Sequence, residues 1–144
     1  AQDAFQLRSK LVSAIDKDSN AYNDVVTATK LPGDTEAEKR YREEMIQRSL
    51  KQATLVPMTV AEDAIRVMEL AGKTVAKGNK NTISDGAVGI MVARTAVLSA
   101  LYNVKINLRA IKDKAFIDKI SKQVKELEQS ALQKEKELLS NINL

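Results

Sequence analysis

One acidic side chain and two amides stand on helical faces that are otherwise apolar. Apolar and small residues recur at alternating intervals of four and three, which is the spacing of one side of a helix. The first such row is Leu7, Leu11, Ala14, Asp18, Ala21 and Val25. The second row is Gly89, Ala93, Ala96, Ala100, Asn103 and Asn107. Because polar groups on buried faces cost free energy unless they are satisfied, the two rows predict a polar pocket inside a helical bundle.

The amino-acid composition limits the chemistry that such a pocket can perform. The 144 residues include no histidine and no cysteine, which excludes disulfides, a thiolate metal site and the usual proton shuttle. Any catalysis must therefore use carboxylates, lysines, amides or bound water. No metal-ligand spacing and no glycine-rich phosphate loop is present, so we expect neither a metal nor a nucleotide. A cysteine-free chain without an apolar signal at its first residues is typical of a cytoplasmic protein.

The charge pattern argues against a nucleic-acid partner and against a membrane. The formal net charge is +4, but basic and acidic residues alternate, and no basic run with interleaved aromatics is present. The segment 83–108 is apolar enough to suggest a membrane span. Asp85, Arg94 and Lys105 interrupt it, so we interpret it as a buried central helix.

The breaker residues predict an all-α domain over residues 1–144, with about five helices. Only five glycines and two prolines are available for turns, which favours long helices. A first helix over 2–29 is expected to end at Leu31-Pro32-Gly33. Thr35 and Glu38 have capping-box spacing and start a second helix near Glu36. Pro57 either kinks this helix or lies in the first turn of the next one.

Three further boundaries follow from the same rules. The helical pattern resumes after Pro57 and ends at Lys77-Gly78, where a loop over 78–81 begins. Ser84 is predicted to be the N-cap of the central helix, which runs from Asp85 to about Arg109. A last helix follows from about 114 to 139. Its apolar row is Phe116, Ile120, Val124, Leu127 and Ala131.

Several short segments in a fixed order carry a family resemblance that covers residues 7–120. They are 15–18 (Ile-Asp-Lys-Asp), 30–32 (Lys-Leu-Pro), 56–58 (Val-Pro-Met), 78–85 (Gly-Asn-Lys-Asn-Thr-Ile-Ser-Asp) and 103–108 (Asn-Val-Lys-Ile-Asn-Leu). With this set the chain resembles the formiminotransferase-cyclodeaminase family, which includes bacterial methenyltetrahydrofolate cyclohydrolases. The Pro-Gly-Gly-Gly-Ser turn that usually opens the family's domain is not in this sequence.

The resemblance implies a folate-dependent enzyme of one-carbon metabolism. Its substrate would be a tetrahydrofolate derivative, either closed to methenyltetrahydrofolate with loss of ammonia or opened from it by water. The second aspartate of the family's Asp-x-Asp motif maps to Asp18, which would be the general acid and base. Asp18 lies on the apolar row, whereas Asp16 lies about 200° away around the helix. We therefore expect Asp18 to be buried; the alternative is an aspartate paired with a lysine or arginine of another helix.

The other predicted site residues have structural alternatives. Asn103 and Asn107 bind the pterin or hold Asp18, unless they link helices or cap loops. Asn79, Ser84 and Asp85 contact the ligand at a helix N-terminus, unless the loop residues serve only as caps. Lys30 meets a folate carboxylate or stabilises Asp18, unless it is a solvated lysine at the end of the first helix. The family also implies a homodimer. The competing hypothesis for the whole chain is a non-catalytic helical bundle that binds a partner protein or folate.

Overall fold

The computed structural model describes residues 2–77, 82–140 and 142, and these fold into an all-α bundle. The helices of the described residues are α1 (Gln2–Thr29), α2 (Glu36–Lys77), α3 (Ile83–Leu108) and α4 (Lys114–Ser140). Helix α2 is the centre of the bundle, because it packs against α1, α3 and α4. The predicted all-α class is confirmed. The predicted loop over 78–81 lies outside the described residues.

Helix α2 explains why the described residues form four helices and not five. It runs for 42 residues with Pro57 inside it. A proline has no N–H, so the carbonyl group four residues earlier loses its helical partner. That carbonyl belongs to Ala53, and the side-chain amide of Asn107 donates a hydrogen bond to it (Nδ2 to O, 3.0 Å). Asn107 of α3 thus replaces the missing backbone donor, and α2 continues through the proline.

The start of α2 confirms the predicted capping box. The backbone N–H of Glu38 donates to Thr35 Oγ1 at 3.2 Å, and the backbone N–H of Thr35 donates to Glu38 Oε2 at 2.9 Å. The N–H of Asp34 also donates to Glu38 Oε2, at 3.0 Å. The hydrogen bond from the Thr35 backbone is the largest cause that lowers the pKa of Glu38 below its ordinary value of 4.5.

This capping box gives a pH-dependent prediction. Because the folded-state pKa of Glu38 is lowered, its stabilisation is present above pH 4.5 and is lost as the pH falls through the folded-state value. We expect the Tm of the wild type to fall more steeply between about pH 5 and about pH 3 than that of Glu38→Gln. Thermal melts followed by circular dichroism measure both slopes. Glu44→Gln, at an exposed position of the same helix, is the control; equal slopes for Glu38→Gln and wild type would contradict the prediction.

The hydrophobic core lies between α2, α3 and α4. Met58, Ala61 and Met68 of α2 face Ile90, Val97, Leu101 and Val104 of α3, and α4 adds Ile120, Val124 and Ala131. Two glycines allow the helices to approach closely. A Cβ on Gly72 would lie 2.5 Å from Leu138 Cδ2, and one on Gly86 would clash with Val75 Cγ2.

The sequence predicts that α3 is a buried central helix. In the structure α2 is the centre of the bundle, and α3 is buried on one side only. Among the described residues it is the one helix with the length and composition of a membrane span, and 39% of its most apolar window is buried in the bundle. Its outer face leaves Val88, Val92, Tyr102 and Ile106 exposed. Two of the charged groups that interrupt α3 are paired with α4: Arg94 contacts Glu135 (Nε to Oε2, 3.1 Å), and Lys105 contacts Glu128 at 2.5 Å.

Candidate functional site

A groove of about 380 Å³ runs between α1 and α3, and α2 forms its floor. Helix α1 contributes Leu11, Ala14, Ile15, Asp18 and Ser19, α2 contributes Pro57 and Val60, and α3 contributes Ala96, Ser99, Ala100 and Asn103. The groove therefore contains one carboxylate and one amide in walls that are otherwise apolar or carry hydroxyl groups. The structure brings Asp18 and Asn103 to the same groove from two different helices.

Asp18 is exposed, so the prediction that it is buried is wrong. The apolar row of α1 does face α2, but within α1 only Ala21 and Ala28 are buried. The groove beside Asp18 is open to solvent because no helix of the described residues covers it. Asp18 can therefore reach a ligand in the groove directly.

The two predicted amide side chains of α3 lie in different environments. Asn103 is exposed and lines the groove. Asn107 is half-buried, and its amide bonds to the Ala53 carbonyl as described above. Of the two alternatives that the sequence left open, the geometry favours the helix-linking role for Asn107. For Asn103 it is compatible with a ligand contact.

The predicted site residues Lys30, Ser84 and Asp85 do not line this groove. Ser84 and Asp85 are exposed in the first turn of α3, about 17–18 Å along the helix from Ala96 at 1.5 Å per residue. Thr82 occupies the N-cap position of α3, so the prediction that Ser84 is the N-cap is wrong. Lys30 is exposed just beyond the end of α1, about 18 Å from Asp18 on the same measure. Asn79 lies outside the described residues.

The buried carboxylate of this region is Asp63 of α2, which the sequence analysis did not identify. Its side chain is 3% exposed, and Lys10 Nζ of α1 lies 2.8 Å from both carboxylate oxygens. Arg66 is a more distant partner at 3.6 Å. The signal in the sequence was the row Val60, Asp63 and Val67, which has the same spacing as the row of Asp18. However, α2 packs against α1, α3 and α4, so apolar residues occur on several of its faces. The row that contains Asp63 therefore does not stand out in the sequence.

A second, smaller cavity of about 160 Å³ lies beside the groove, between α1 and α2. Its polar atoms come from Lys10, Lys17, Gln52, Thr59 and Asp63. Ala14 and Val60 line both this cavity and the groove, so the two spaces share a thin wall. Within residues 2–77, 82–140 and 142, no three acidic side chains group closely enough to hold a metal ion.

Residues 1–126 match the family model of formiminotransferase-cyclodeaminase. Methenyltetrahydrofolate cyclohydrolase of Methylorubrum extorquens is 38% identical over 122 residues, which are 85% of this chain and 57% of that protein. Formimidoyltransferase-cyclodeaminase of Sus scrofa is 33% identical over 123 residues, which are 85% of this chain and 23% of that protein.

A solved structure also resembles this bundle. The crystal structure of formiminotetrahydrofolate cyclodeaminase from Thermotoga maritima superposes with a TM-score of 0.77 and 28% sequence identity. The match covers 94% of this chain and 65% of that one. The chain thus spans about half of the bacterial relative and about a quarter of the animal one. From the match over residues 1–126, the chain belongs to the formiminotransferase-cyclodeaminase family.

Proposed function

We propose that this chain acts on a tetrahydrofolate derivative, as a formimidoyltetrahydrofolate cyclodeaminase or a methenyltetrahydrofolate cyclohydrolase. The relatives named above carry these two activities in their names. The observation on which the proposal depends is the groove that Asp18 and Asn103 share. Its volume of about 380 Å³ falls within the range of roughly 300–1,000 Å³ that is common for small-molecule sites.

Asp18 is proposed to be the general acid and base. In the cyclodeaminase reaction a folate nitrogen attacks the amidine carbon and loses a proton, and the departing nitrogen gains one and leaves as ammonia. One carboxylate beside both nitrogens can accept the first proton and donate the second. In the cyclohydrolase reaction the same carboxylate removes a proton from the water that attacks the methenyl carbon. It then returns a proton to the folate nitrogen whose bond to that carbon breaks, so that the ring opens to the formyl product.

Asn103 is proposed to orient the ligand. An amide side chain has both donor and acceptor atoms, which suits the mixed donors and acceptors of a pterin edge. The apolar walls formed by Leu11, Ile15 and Val60 would contact the flat ring faces. The proposed site uses carboxylate and amide groups and needs neither a metal nor a nucleotide.

Two substrates separate the two activities. Incubation with formimino-tetrahydrofolate produces the methenyl chromophore if the chain is a cyclodeaminase, and incubation with methenyltetrahydrofolate removes it if the chain is a cyclohydrolase. Absorbance reports both. Folate binding without turnover of either substrate would favour the alternative hypothesis of a non-catalytic binding bundle.

We also propose that the chain forms a homodimer through the outer face of α3. Val92 and Tyr102 on this face are 62% and 65% exposed, and Val88 and Ile106 extend the same row. Large apolar side chains exposed on one helix face commonly mark a protein interface. A second copy of the chain would cover this face, and Arg94 and Lys105 of α3 are paired with α4. We therefore propose that the protein binds neither a membrane nor a nucleic acid. We also propose that it is located in the cytoplasm.

The dimer gives a direct prediction. Val92→Glu introduces a charge at the middle of the exposed row, which would be desolvated in the interface. We expect the solution mass to fall from that of a dimer to that of a monomer at the same concentration, as measured by small-angle scattering. Leu132→Glu, at an exposed position of α4, is the matched control and should leave the dimer intact. A wild-type chain with the mass of a monomer would contradict the proposal.

A further inference from the structure

The position of Asp18 depends almost entirely on how α1 rests on α2. No residue from Gln2 to Asn20 is buried, and α1 packs mainly against α2. Asn103, the opposite polar group of the groove, lies on α3. A small rotation of α1 about its own axis would therefore move the carboxylate of Asp18 relative to Asn103, and among the buried residues of α1 it would affect only Ala21 and Ala28.

One polar contact fixes that rotation. Among the described residues, the bond between Lys10 and Asp63 is the one side-chain hydrogen bond that joins α1 to α2. The ammonium group lies 2.8 Å from both oxygens of a carboxylate whose side chain is only 3% exposed. A buried carboxylate that loses its cation is strongly destabilised, so Asp63 holds Lys10 at this point of α2.

The helical geometry connects this contact to the groove. At 100° and 1.5 Å per residue, Asp18 lies about 80° around α1 from Lys10 and about 12 Å along it. Ala14 is midway between them, at about 40°. The cavities agree with this order: Lys10 lines the smaller cavity, Asp18 lines the groove, and Ala14 lines both. With Lys10 held against α2, Asp18 on the neighbouring face of α1 is directed toward the groove.

We propose that Asp63 is a positioning residue: through its ion pair with Lys10 it sets the rotation of α1 and so directs Asp18 into the groove opposite Asn103. Its effect on turnover rests on the proposed function, whereas its effect on the position of α1 does not. The two parts can therefore be tested separately.

A distance measurement tests the position of α1 without a substrate. The chain has no cysteine, so Ser19→Cys and Ser99→Cys place one spin label on each wall of the groove. We expect Asp63→Asn to shift or broaden the distance distribution between these labels, and Lys10→Arg to preserve it. Glu135→Gln removes a partly buried ion pair between α3 and α4 and should leave the distribution unchanged.

A variant that stays folded is also available if Asp63→Asn unfolds. Replacing both members of a buried ion pair by apolar residues is often neutral or stabilising, so Lys10→Met combined with Asp63→Leu keeps the packing and removes the charges. Circular dichroism checks that the helices are retained. A distance distribution identical to that of the wild type, in whichever variant is folded, would overturn the proposal.

Turnover gives the second readout. A displacement of about 1 Å can lower a rate about 100-fold, so we expect Asp63→Asn to lower kcat by roughly 10-fold to 100-fold with a small change in KM. In the Asp18→Asn background the same substitution should cause no further loss. Fully multiplicative losses would show that Asp63 acts independently of Asp18 and would overturn its positioning role in catalysis. A wild type that turns over neither substrate contradicts the proposed function, and the label distances still decide the position of α1.

Discussion

Asp18→Asn is expected to lower kcat for the folate substrate by about 100-fold to 10,000-fold, the usual range for loss of a general acid or base. The substitution keeps the size of the side chain and removes its ability to accept a proton. Because Asp18 is exposed, the variant should fold like the wild type. Stopped-flow or steady-state absorbance of the methenyl chromophore measures the loss, and thermal melts check the fold.

Asp16→Asn is the matched control for this experiment. Asp16 is also exposed on α1 but lies about 200° around the helix from Asp18, away from the groove. We expect its kcat to stay within about twofold of the wild type, since its carboxylate does not reach the groove. Equal activity of Asp18→Asn and the wild type, with both proteins folded, would contradict the assignment of Asp18.

Asn107→Leu is expected to destabilise the fold by about 1–3 kcal/mol, the cost of leaving a buried polar group without its partner. The affected group is the carbonyl of Ala53, which accepts the Asn107 amide because Pro57 has no N–H. Leucine has the same branching and the same number of side-chain heavy atoms as asparagine but cannot donate a hydrogen bond. Urea denaturation followed by circular dichroism measures the change in the free energy of unfolding.

A double-mutant cycle separates this explanation from a simple packing effect. Pro57→Ala restores a backbone N–H that can donate to Ala53, so the carbonyl no longer depends on Asn107. We expect the cost of Asn107→Leu to fall by more than half in the Pro57→Ala background, a coupling well above the usual scatter of about 0.5 kcal/mol. Equal costs in both backgrounds would mean that Asn107 stabilises the protein in some other way.

The helices were largely predictable because their signals are local. The capping box of Thr35 and Glu38, the breaker at Pro32-Gly33 and the apolar row of α4 each depend on residues within a few positions of one another. The sequence did not show whether α2 continues through Pro57. The answer depends on Asn107, which is 50 positions further along the chain and donates to the carbonyl of Ala53. Local rules state what a proline removes but not what replaces it.

The site was predictable only in part, for a similar reason. The apolar rows predicted that Asp18 and Asn103 face one pocket, since periodicity shows which residues of a helix share a face. Both residues line the groove. Periodicity does not show where the covering helices end, so Asp18 was expected to be buried and is exposed. Asp63 has the same spacing on α2 and is buried, because α1 crosses α2 at that point and supplies Lys10.

The lack of buried residues over the first two-thirds of α1 has a consequence for local stability. Segments with few buried contacts open at a lower free energy than the rest of a protein, and their amide hydrogens exchange with solvent sooner. The amides before Ala21 should therefore exchange faster than those of α3 around Leu101. A ligand seated between α1 and α3 contacts both helices, so its binding would suppress this local opening. The carboxylate of Asp18, the proposed general acid and base, thus belongs to the part of the bundle that is expected to gain the most order when a ligand fills the groove.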